Sequence, residues 1–309
     1  MSQYIIKRLL VAIPTLWIVL TITFVVMRLT PGGPWDNVPG DTPLSPAVIE
    51  NIRAKYGVDE PIWKQYLTYI GNAAQGDLGV SYIQRGRSAT EIIRTFLPVS
   101  LQLGAVAMTI GVIFGLSLGV IAAVKHNTFV DYLAMLIAVI GVSVPSYVTA
   151  SFLIVILSIT FGVLPAGGWG GVFDTRIIIP SIALAAFPMA TIARYTRAST
   201  LEVLRQPYVV TARAKGLRSQ RVVVRHVLKN ALIPVTTVTG LTFVGIMTGS
   251  FFVETVTGVP GIGRYFVTAA SGRDYPVLMA VTMVYAVLLI FINIIVDVIY
   301  AILDPRIRY

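Results

Sequence analysis

Long stretches without a charged residue are the feature of this sequence that most constrains its fold. Thr95–Val124 and Tyr132–Phe173 contain no Asp, Glu, Lys or Arg. An α-helix that crosses the hydrocarbon core of a bilayer needs about 20 mainly apolar residues. Only 12% of the chain is charged, whereas an average soluble domain has about 25%. We therefore expect an all-α polytopic membrane protein.

The gaps between charged residues predict six membrane-spanning helices. They are Leu9–Met27, Thr95–Val124, Tyr132–Phe161, Ile177–Ala193, Asn230–Val253 and Tyr275–Val296. Pro14, Pro145 and Pro188 fall inside these segments, and membrane helices tolerate proline because neighbouring helices satisfy the freed backbone groups. The first apolar run is too long for a typical signal peptide and no small-residue cleavage site follows, so a retained anchor is expected.

The basic residues predict which side of the membrane each loop occupies. The formal net charge of +10 comes entirely from segments 1–8, 125–131, 194–229 and 297–309. Positively charged loops stay in the cytoplasm, so these segments and both termini are predicted to be cytoplasmic. The basic charge therefore reflects membrane topology, and nucleic acid is not expected as a partner.

This topology divides the chain into parts that differ in environment. The parts are a cytoplasmic N-terminus at 1–8, a first span at 9–29, an extracytoplasmic loop at 30–94 and a core with the remaining spans at 95–309. The loop is predicted to contain an amphipathic helix with Trp63, Tyr66 and Tyr69. These aromatic side chains would sit at the level of the lipid headgroups, or they would form a docking surface for an extracytoplasmic partner.

The cytoplasmic segment at 194–229 is strongly basic and contains a short run of small residues. Residues 208–216 are compatible with a helix that stops at a glycine, and 221–229 form a basic amphipathic stretch. One interpretation is an anchor on anionic lipid headgroups. The other is a short helix that presents small residues to the groove of a partner. Those small residues are Ala212, Ala214 and Gly216.

The residue inventory excludes most catalytic chemistry. The chain has no cysteine and two histidines, so thiolate chemistry, cysteine-type zinc sites and histidine triads are not expected. Gly258–Tyr265 comes nearest to a phosphate-binding loop but lacks its lysine and hydroxyl. No catalytic, cofactor-binding or metal-binding residue is predicted, and the chain is not expected to be an enzyme.

Few polar residues fall within the predicted spans. Glu254 and Asp297 lie near span ends, and both are interpreted as solvated helix ends. Glycines recur at four-residue spacing in the second and fifth spans, which allows helices to approach closely. The glycines assigned to helix packing are Gly111, Gly115, Gly119, Gly245 and Gly249.

Motifs along the whole chain resemble one family of membrane proteins. Tyr208–Leu217, followed by Arg225–Pro234, is similar to the cytoplasmic loop of ATP-binding-cassette (ABC) importer permeases. Further similar segments are Ile6–Leu10, Met27–Gly33, Gly76–Gly79, Ile192–Ser199, Glu254–Gly263 and Leu303–Arg308. Within that family, the combination resembles the dipeptide, oligopeptide and nickel subfamily.

The resemblance implies a type I ABC importer permease fold in the bacterial cytoplasmic (inner) membrane. The implied partners are a second, homologous permease subunit, two ATP-binding subunits, an extracytoplasmic peptide-binding protein and membrane lipid. ATP and Mg²⁺ would be bound by the ATP-binding subunits, and this chain would hold no cofactor. The implied function is import of oligopeptides by alternating access, driven by the partner ATPases.

The resemblance also implies that a helix near residues 209–216 couples the chain to an ATPase. The residues assigned to this coupling are Tyr208, Val209, Thr211, Ala212, Arg213, Ala214, Lys215, Gly216 and Leu217. The general permease pattern begins Glu-Ala-Ala, whereas this chain has Thr-Ala-Arg from Thr211. An acidic contact to the ATPase is therefore not carried over. A bulky charge at Gly216 or Ala212 is expected to uncouple ATP use from uptake, and no residue is assigned to the substrate pathway.

Two alternatives to oligopeptide import stay open. The same architecture could import dipeptides, glutathione or nickel, because selectivity is expected to lie mostly in the binding protein. A self-sufficient secondary carrier or a membrane scaffold would be a different class of protein. A proton-coupled carrier needs carboxylates or histidines at mid-membrane depth, and the sequence shows none there.

Overall fold

The computed structural model describes residues 2–30, 50, 57, 59–84, 86–247 and 251–303. These residues are mostly helical, and their only β-type pairing is an isolated bridge between Val80 and Ser88. The all-α prediction is confirmed. The α-helices are α1 (Ser2–Leu29), α2 (Ile62–Ala74), α3 (Ala89–Val124), α4 (Phe129–Ser143), α5 (Ser146–Leu153), α6 (Ile178–Leu204), α7 (Pro207–Ala214), α8 (Ser219–Val222), α9 (Leu228–Met247), α10 (Phe251–Val256), α11 (Ile262–Gly272) and α12 (Tyr275–Leu303).

Shorter helical segments connect some of these elements. A π-helix at Ile154–Thr160 continues α5, and a second π-helix at Val223–Val227 joins α8 to α9. A 3₁₀ turn at Thr175–Ile177 precedes α6. π-Helical turns inside longer helices are rare and frequently occur at functional sites.

Four helices in the described ranges are long and apolar enough to cross a membrane. They are Arg8–Leu29, Ala89–Val124, Thr175–Leu204 and Tyr275–Val296. These four correspond to the first, second, fourth and sixth predicted spans. The predicted fifth span, Asn230–Val253, covers most of α9 and the first residues of α10, but its residues 248–250 lie outside the described residues. The count of six spans and the cytoplasmic position of both termini stay predictions.

The third predicted span is bent rather than straight. Phe129–Ser143 and Ser146–Thr160 meet at a bend of 108°. The break lies at Val144 and Pro145, because a residue before proline is pushed out of the α conformation and Val144 is extended here. Pro14, by contrast, lies inside a continuous helix, as does the proline of α6. The expectation that the helix would continue through Pro145 was wrong.

The chain divides into two compact units. The N-terminal unit consists of Ser2–Ser100 with Pro260–Leu288, and the central unit consists of Leu101–Val259 with Leu289–Tyr309. From the sequence, a boundary is predicted between residues 94 and 95, and residues 260–288 are grouped with the core at 95–309. The structure assigns this segment to the N-terminal unit, where its side chains share a core with the start of α3.

The core of the N-terminal unit joins α3, α11 and α12. Ile92, Ile262 and Val281 are buried together in it. At its edge, the backbone N–H of Ile262 donates to the hydroxyl of Ser100 over 2.9 Å. This hydrogen bond satisfies a buried backbone donor close to the start of α11.

A buried carboxylate fixes the loop before α3 to the junction of α11 and α12. Asp274 accepts a hydrogen bond from the hydroxyl of Ser81 and from the backbone N–H of Tyr82, the latter at 3.0 Å. The hydroxyl of Ser81 also accepts from the backbone N–H of Gln84 over 2.8 Å. These hydrogen bonds satisfy the buried side chain of Asp274 and connect the loop to the start of α12.

The same unit contains a cluster between α1 and α2. Leu20, Phe24 and Met27 of α1 pack there with Tyr275 of α12, and Tyr69 of α2 lies against them. Burial raises the pKa of the Tyr69 hydroxyl. That group therefore stays neutral at physiological pH.

Helix α6 is the central element of the central unit. It contacts α4, α5 and α9, and most of its apolar length is buried. Small residues permit this arrangement: Ala138 of α4 and Ala190 and Ala193 of α6 form one buried cluster. The contacts of α6 connect the membrane helices to α7, which directly follows it.

Candidate functional site

The basic segment at 194–229 contains the short helix α7. Pro207 begins this helix, where its fixed φ and missing N–H are tolerated. After the helix, the N–H of Gly216 donates to the carbonyl of Arg213 over 2.9 Å, and the N–H of Leu217 donates to that of Ala212 over 3.4 Å. Gly216 has a φ of +78°, and this pair of bonds is the Schellman arrangement. The helix and its glycine stop were both predicted from the sequence.

One side of α7 is buried against its own chain. Val209 and Ala212 pack there with Val222 and Val227, and Leu217 lies at the edge of the cluster. Ala212 is 7% exposed, because residues three positions apart fall on the same side of a helix. The expectation that Ala212 faces a partner was wrong.

The opposite side of α7 is exposed and is formed by Val210, Thr211 and Ala214. Val210 and Ala214 are four residues apart and form one strip on the helix surface. Val210 is 58% exposed although its side chain is apolar. The sequence reasoning did not single out this valine. If Val209 is assigned to the buried side of the helix, the four-residue spacing of Val210 and Ala214 predicts that both lie on the exposed side.

Tyr208 holds α7 against the chain that leads into α9. Its hydroxyl accepts a hydrogen bond from the Asn230 side-chain amide over 2.7 Å. The same hydroxyl donates to the carbonyl of His226 over 3.5 Å. Tyr208 therefore has a supporting contact inside the chain, whereas Arg213 and Lys215 are exposed to their surroundings.

A basic concave surface of about 650 Å³ begins where α7 ends. Gly216 and Leu217 line it together with Arg218, Arg221 and Arg225. Three guanidinium groups around one concavity suit an anionic group, such as an acidic side chain or a lipid phosphate. Both interpretations of the basic segment, as a partner surface and as a lipid anchor, fit this geometry.

The glycines of α3 lie against α6. A β-carbon at Gly119 would be 2.5 Å from the β-carbon of Thr196, and one at Gly115 would be 2.8 Å from the carbonyl oxygen of Met189. A β-carbon at Gly111 would lie 3.0 Å from the Cγ atom of Pro188. Such distances are shorter than van der Waals contact, so any larger residue would push the two helices apart.

The two glycines assigned to the fifth span differ from those of α3. A β-carbon at Gly245 would meet nothing within 4 Å, so Gly245 makes no close helix approach in the described part of the chain. Gly249 lies outside the described residues. Gly141 of α4 was not predicted to pack closely. A β-carbon there would nevertheless lie 2.8 Å from the carbonyl oxygen of Ala186.

An apolar cavity of about 620 Å³ opens between α5, α6, α9 and α10. Phe187 and Tyr195 of α6 line it, together with Thr242 and Phe252. The ring of Phe252 also contacts that of Tyr147, with centroids 5.5 Å apart. None of the described lining residues is charged. The cavity thus combines aromatic surface with a few hydroxyl groups.

A buried ion pair joins α4 to α6 near the start of the basic segment. Asp131 is 1% exposed, and Arg197 donates to its two oxygens over 2.6 and 2.7 Å. The backbone N–H of Asn127 and the Nδ1 atom of His126 also contact this carboxylate, at 3.1 and 3.2 Å. From the sequence, Asp131 serves only to limit the third predicted span and to count charge on one side of the membrane. The partners are 66 residues apart, so no local spacing indicates the pair.

Glu254 is buried rather than solvated, contrary to expectation. Its side chain is 0% exposed. Helix α10 ends near Gly258, which has a φ of +65°, and the carbonyl of Thr257 accepts a hydrogen bond from the N–H of Gly168 over 2.8 Å. A β-carbon at Gly167 would overlap with the same oxygen. The helix therefore ends in a closely packed turn. The side chain of Asp297 lies outside what the structure describes.

In the ranges that the structure describes, His, Asp and Glu form no group of three that could hold a metal ion. The structural features that remain are the exposed side of α7, the basic concave surface and the apolar cavity.

Two family models together match almost the whole chain. "Binding-protein-dependent transport system inner membrane component" matches residues 115–309. The chain belongs to this family. A second model, "Binding-prot-dependent transport system membrane comp, N-term", matches residues 1–103. The chain is thus a multi-pass inner-membrane component of a transport system, and its family is one of transport subunits rather than enzymes.

Curated relatives match over the full length. The chain is 46% identical over 309 residues to the oligopeptide transport system permease protein OppB of Escherichia coli K12, with 100% of both chains covered. It is 42% identical over 308 residues to the dipeptide transport system permease protein DppB of Bacillus subtilis 168, covering 100% of this chain and 98% of the relative.

Solved structures show the same fold at low sequence identity. The MetNI methionine ABC transporter, in inward-facing conformations, matches with a TM-score of 0.59 and 19% identity over 69% of this chain and 96% of that one. An amino acid ABC transporter matches with a TM-score of 0.55 and 20% identity over 68% and 94%. The predicted ABC importer permease fold is confirmed.

Proposed function

We propose that this chain is the permease subunit of an ABC importer that moves oligopeptides into the cell by alternating access. The observation that carries the proposal is the 46% identity to OppB along the whole of both chains. The relative at 42% identity is named for dipeptides, so peptide is the cargo that the two names share. Import of dipeptides, glutathione or nickel by the same architecture is the alternative.

The chain would work as part of a larger assembly. The proposed partners are a second, homologous permease subunit, two ATP-binding subunits that hold ATP and Mg²⁺, and an extracytoplasmic peptide-binding protein. The absence of a phosphate-binding loop from this sequence supports a division of labour in which nucleotide chemistry belongs to the partners.

We assign coupling with an ATP-binding subunit to the exposed side of α7. Val210, Thr211 and Ala214 offer a small, partly apolar surface on a helix that is held from behind. The buried cluster behind α7 includes Leu204 from the end of α6 and Val227 from the π-helix before α9. A displacement of α7 would therefore move both helices. An ATP-bound partner shifts the conformational equilibrium only if it binds α7 differently in the two states.

The apolar cavity between α5, α6, α9 and α10 is the proposed part of the substrate route. It is bordered by α6, whose end packs against the cluster behind α7, and by α9, which continues the π-helix that contributes Val227 to that cluster. An uncharged lining suits peptides whose side chains differ in charge, because it neither attracts nor repels one sign strongly. Hydroxyl groups such as that of Thr242 would hydrogen-bond a passing peptide backbone.

The test is peptide transport by the purified assembly in liposomes. The tagged chain is co-purified with its partners, and ATP hydrolysis and uptake of a labelled oligopeptide are measured with the binding protein present. We expect peptide-loaded binding protein to stimulate hydrolysis and uptake together. No response to any α-linked oligopeptide, in an assembly that does respond to nickel or to the γ-linked tripeptide glutathione, would reject oligopeptides as the cargo.

The coupling assignment is tested in the same liposomes with Ala214→Glu and the matched variant Ala214→Ser. A glutamate would place an unpaired charge in the contact, so uptake should fall about tenfold or more because such burial costs several kcal/mol. Ala214→Ser keeps the residue small and should transport normally. Wild-type uptake by Ala214→Glu would rule out the exposed side of α7 as the coupling surface. The variant is preferred to Gly216→Glu, because a side chain at a φ of +78° also strains the backbone.

A further inference from the structure

Helix α2 packs along the side of α1, not beyond its end. The hydroxyl groups of Tyr66 and Thr21 form a hydrogen bond of 2.6 Å, and the Tyr66 ring meets that of Phe24 edge-on at 5.3 Å. One helical turn further along α1, Arg28 donates to the side chain of Gln65. The contacts thus extend over about 10 Å of α1, at 1.5 Å per residue.

This part of α1 belongs to a membrane-spanning segment. The apolar stretch extends over Arg8–Leu29, so Thr21 lies well inside it. On the free side of the same stretch, Ile22, Val25 and Val26 are exposed apolar side chains. Because the hydrocarbon core is the solvent for such a surface, the helix that packs beside it must also reach the lipid.

Helix α2 has a packed side and a polar side. Tyr66, Tyr69 and Ala73 are partly buried and share the packed side. Lys64, Thr68 and Asn72 follow one another at four-residue spacing and are all exposed. At 100° per residue Lys64 lies opposite the packed side, whereas Thr68 and Asn72 border an open cleft between α2 and α1. The three residues form a hydrophilic strip along the whole helix.

A third side of α2 is apolar and exposed. Trp63 is 66% exposed and Leu67 is 59% exposed, and Ala74 lies on the same side two turns later. This side lies between the packed side and the polar strip. Tryptophan is enriched where membrane meets water, because its ring is apolar and its N–H can still reach a polar partner.

We propose that α2 lies in the boundary between headgroups and acyl chains, in the leaflet at the Arg28 end of α1. Trp63 and Leu67 enter the lipid, and the strip of Lys64, Thr68 and Asn72 faces water. Lipid is the occupant because the apolar side of α2 continues the exposed apolar surface of α1. Interfacial helices bury such a face about 5–10 Å deep.

The test uses the absence of cysteine from the chain. Trp63→Cys, Leu67→Cys, Lys64→Cys and Thr68→Cys each introduce a single thiol that can carry a nitroxide spin label. All four positions are exposed, so the labels should leave the fold intact. The labelled full chain is placed in nanodiscs of phosphatidylethanolamine and phosphatidylglycerol. Collision with oxygen, which concentrates in lipid, is compared with collision with a water-soluble nickel chelate.

Two further positions calibrate the measurement. Ile22→Cys on the free side of α1 gives the value for lipid, and Lys215→Cys in the basic segment gives the value for water. We expect labels at 63 and 67 to match the lipid reference and labels at 64 and 68 to match the water reference. Water-like values at 63 and 67 would overturn the proposal. Exclusion of both colliders there would also overturn it, because protein would then cover this side.

Discussion

At the residue scale, burial removes water from the carboxylate of Asp131, and two short hydrogen bonds from Arg197 compensate for that cost. Removing one partner from a buried pair leaves the other charge uncompensated, and that is more costly than losing the pair as a whole. Asp131→Asn should therefore lower the free energy of unfolding by about 2 kcal/mol, because Arg197 stays partly buried. Titration of the purified chain with SDS in a mild detergent unfolds it, and the two titration curves give the difference in the free energy of unfolding.

The chain supplies a control for this prediction in Glu60 and Lys64. They form an exposed pair of 2.7 Å at the start of α2, four residues apart, and exposed pairs contribute about 0–1 kcal/mol. Glu60→Gln should therefore change stability little. Replacing both buried partners, as Asp131→Asn with Arg197→Gln, should restore part of the loss. Equal effects of Asp131→Asn and Glu60→Gln would contradict a structural role for the buried pair.

Single residues also show where sequence reasoning ended. The charges of Asp131 and Glu254 were visible in the sequence, but their burial depends on segments that are distant along the chain or fold into turns. Ala212 was recognised as a small residue suited to contact. Whether Ala212 contacts a partner or its own chain depends on whether Val209 lies on the buried side of α7. A helix of eight residues is too short for its hydrophobic periodicity to identify the buried side.

At the element scale, the packing of α3 on α6 depends on residues that lack a β-carbon. Gly119→Ala would place a methyl group 2.5 Å from a carbonyl oxygen of α6, so the helices would have to separate. We expect a loss of about 2 kcal/mol from such overpacking. Gly245→Ala is the matched change, because space is open there. It should be neutral or stabilising by up to about 1 kcal/mol through helix propensity.

Melting temperatures of the two glycine variants in the same detergent test this difference. Gly119→Ala should melt lower than the wild type and Gly245→Ala should not. The reverse order would show that α3 and α6 do not approach as closely as the structure places them. Gly115→Ala provides a second position with the same expectation, since its β-carbon would also meet backbone.

Most of the long helices could be predicted, because each contains a long apolar run. Their ends could not, since α1, α3 and α6 extend beyond these runs into charged residues. The bend at Pro145 could not be predicted either. Prolines at 14 and 188 restrict the preceding residue in the same way, yet those helices continue. Only the packing around each proline determines whether the freed carbonyl finds another partner. Helix α2 was visible as an amphipathic pattern, but its contacts with α1 were not.

At the scale of the whole molecule, resemblance along the full chain carried the assignment of function. The charge-free runs and the distribution of basic residues predict a membrane protein and its topology, but no function. No single site of the described structure performs chemistry that would identify a transporter. The exposed side of α7 and the apolar cavity gain a role only within an assembly, which is why the motifs of the basic segment were needed to interpret them.

The topology of the whole molecule depends on whether the bent pair of α4 and α5 crosses the membrane. If it crosses, Phe173 lies outside and Lys215 inside, as the positive charge of the basic segment requires. If it returns to its own side, both positions change sides. We expect a membrane-impermeant maleimide to label Phe173→Cys in intact cells and Lys215→Cys only after the cells are opened, with Lys125→Cys as the inside reference. The opposite labelling would place the basic segment away from cytoplasmic ATP, and α7 could then not contact an ATPase.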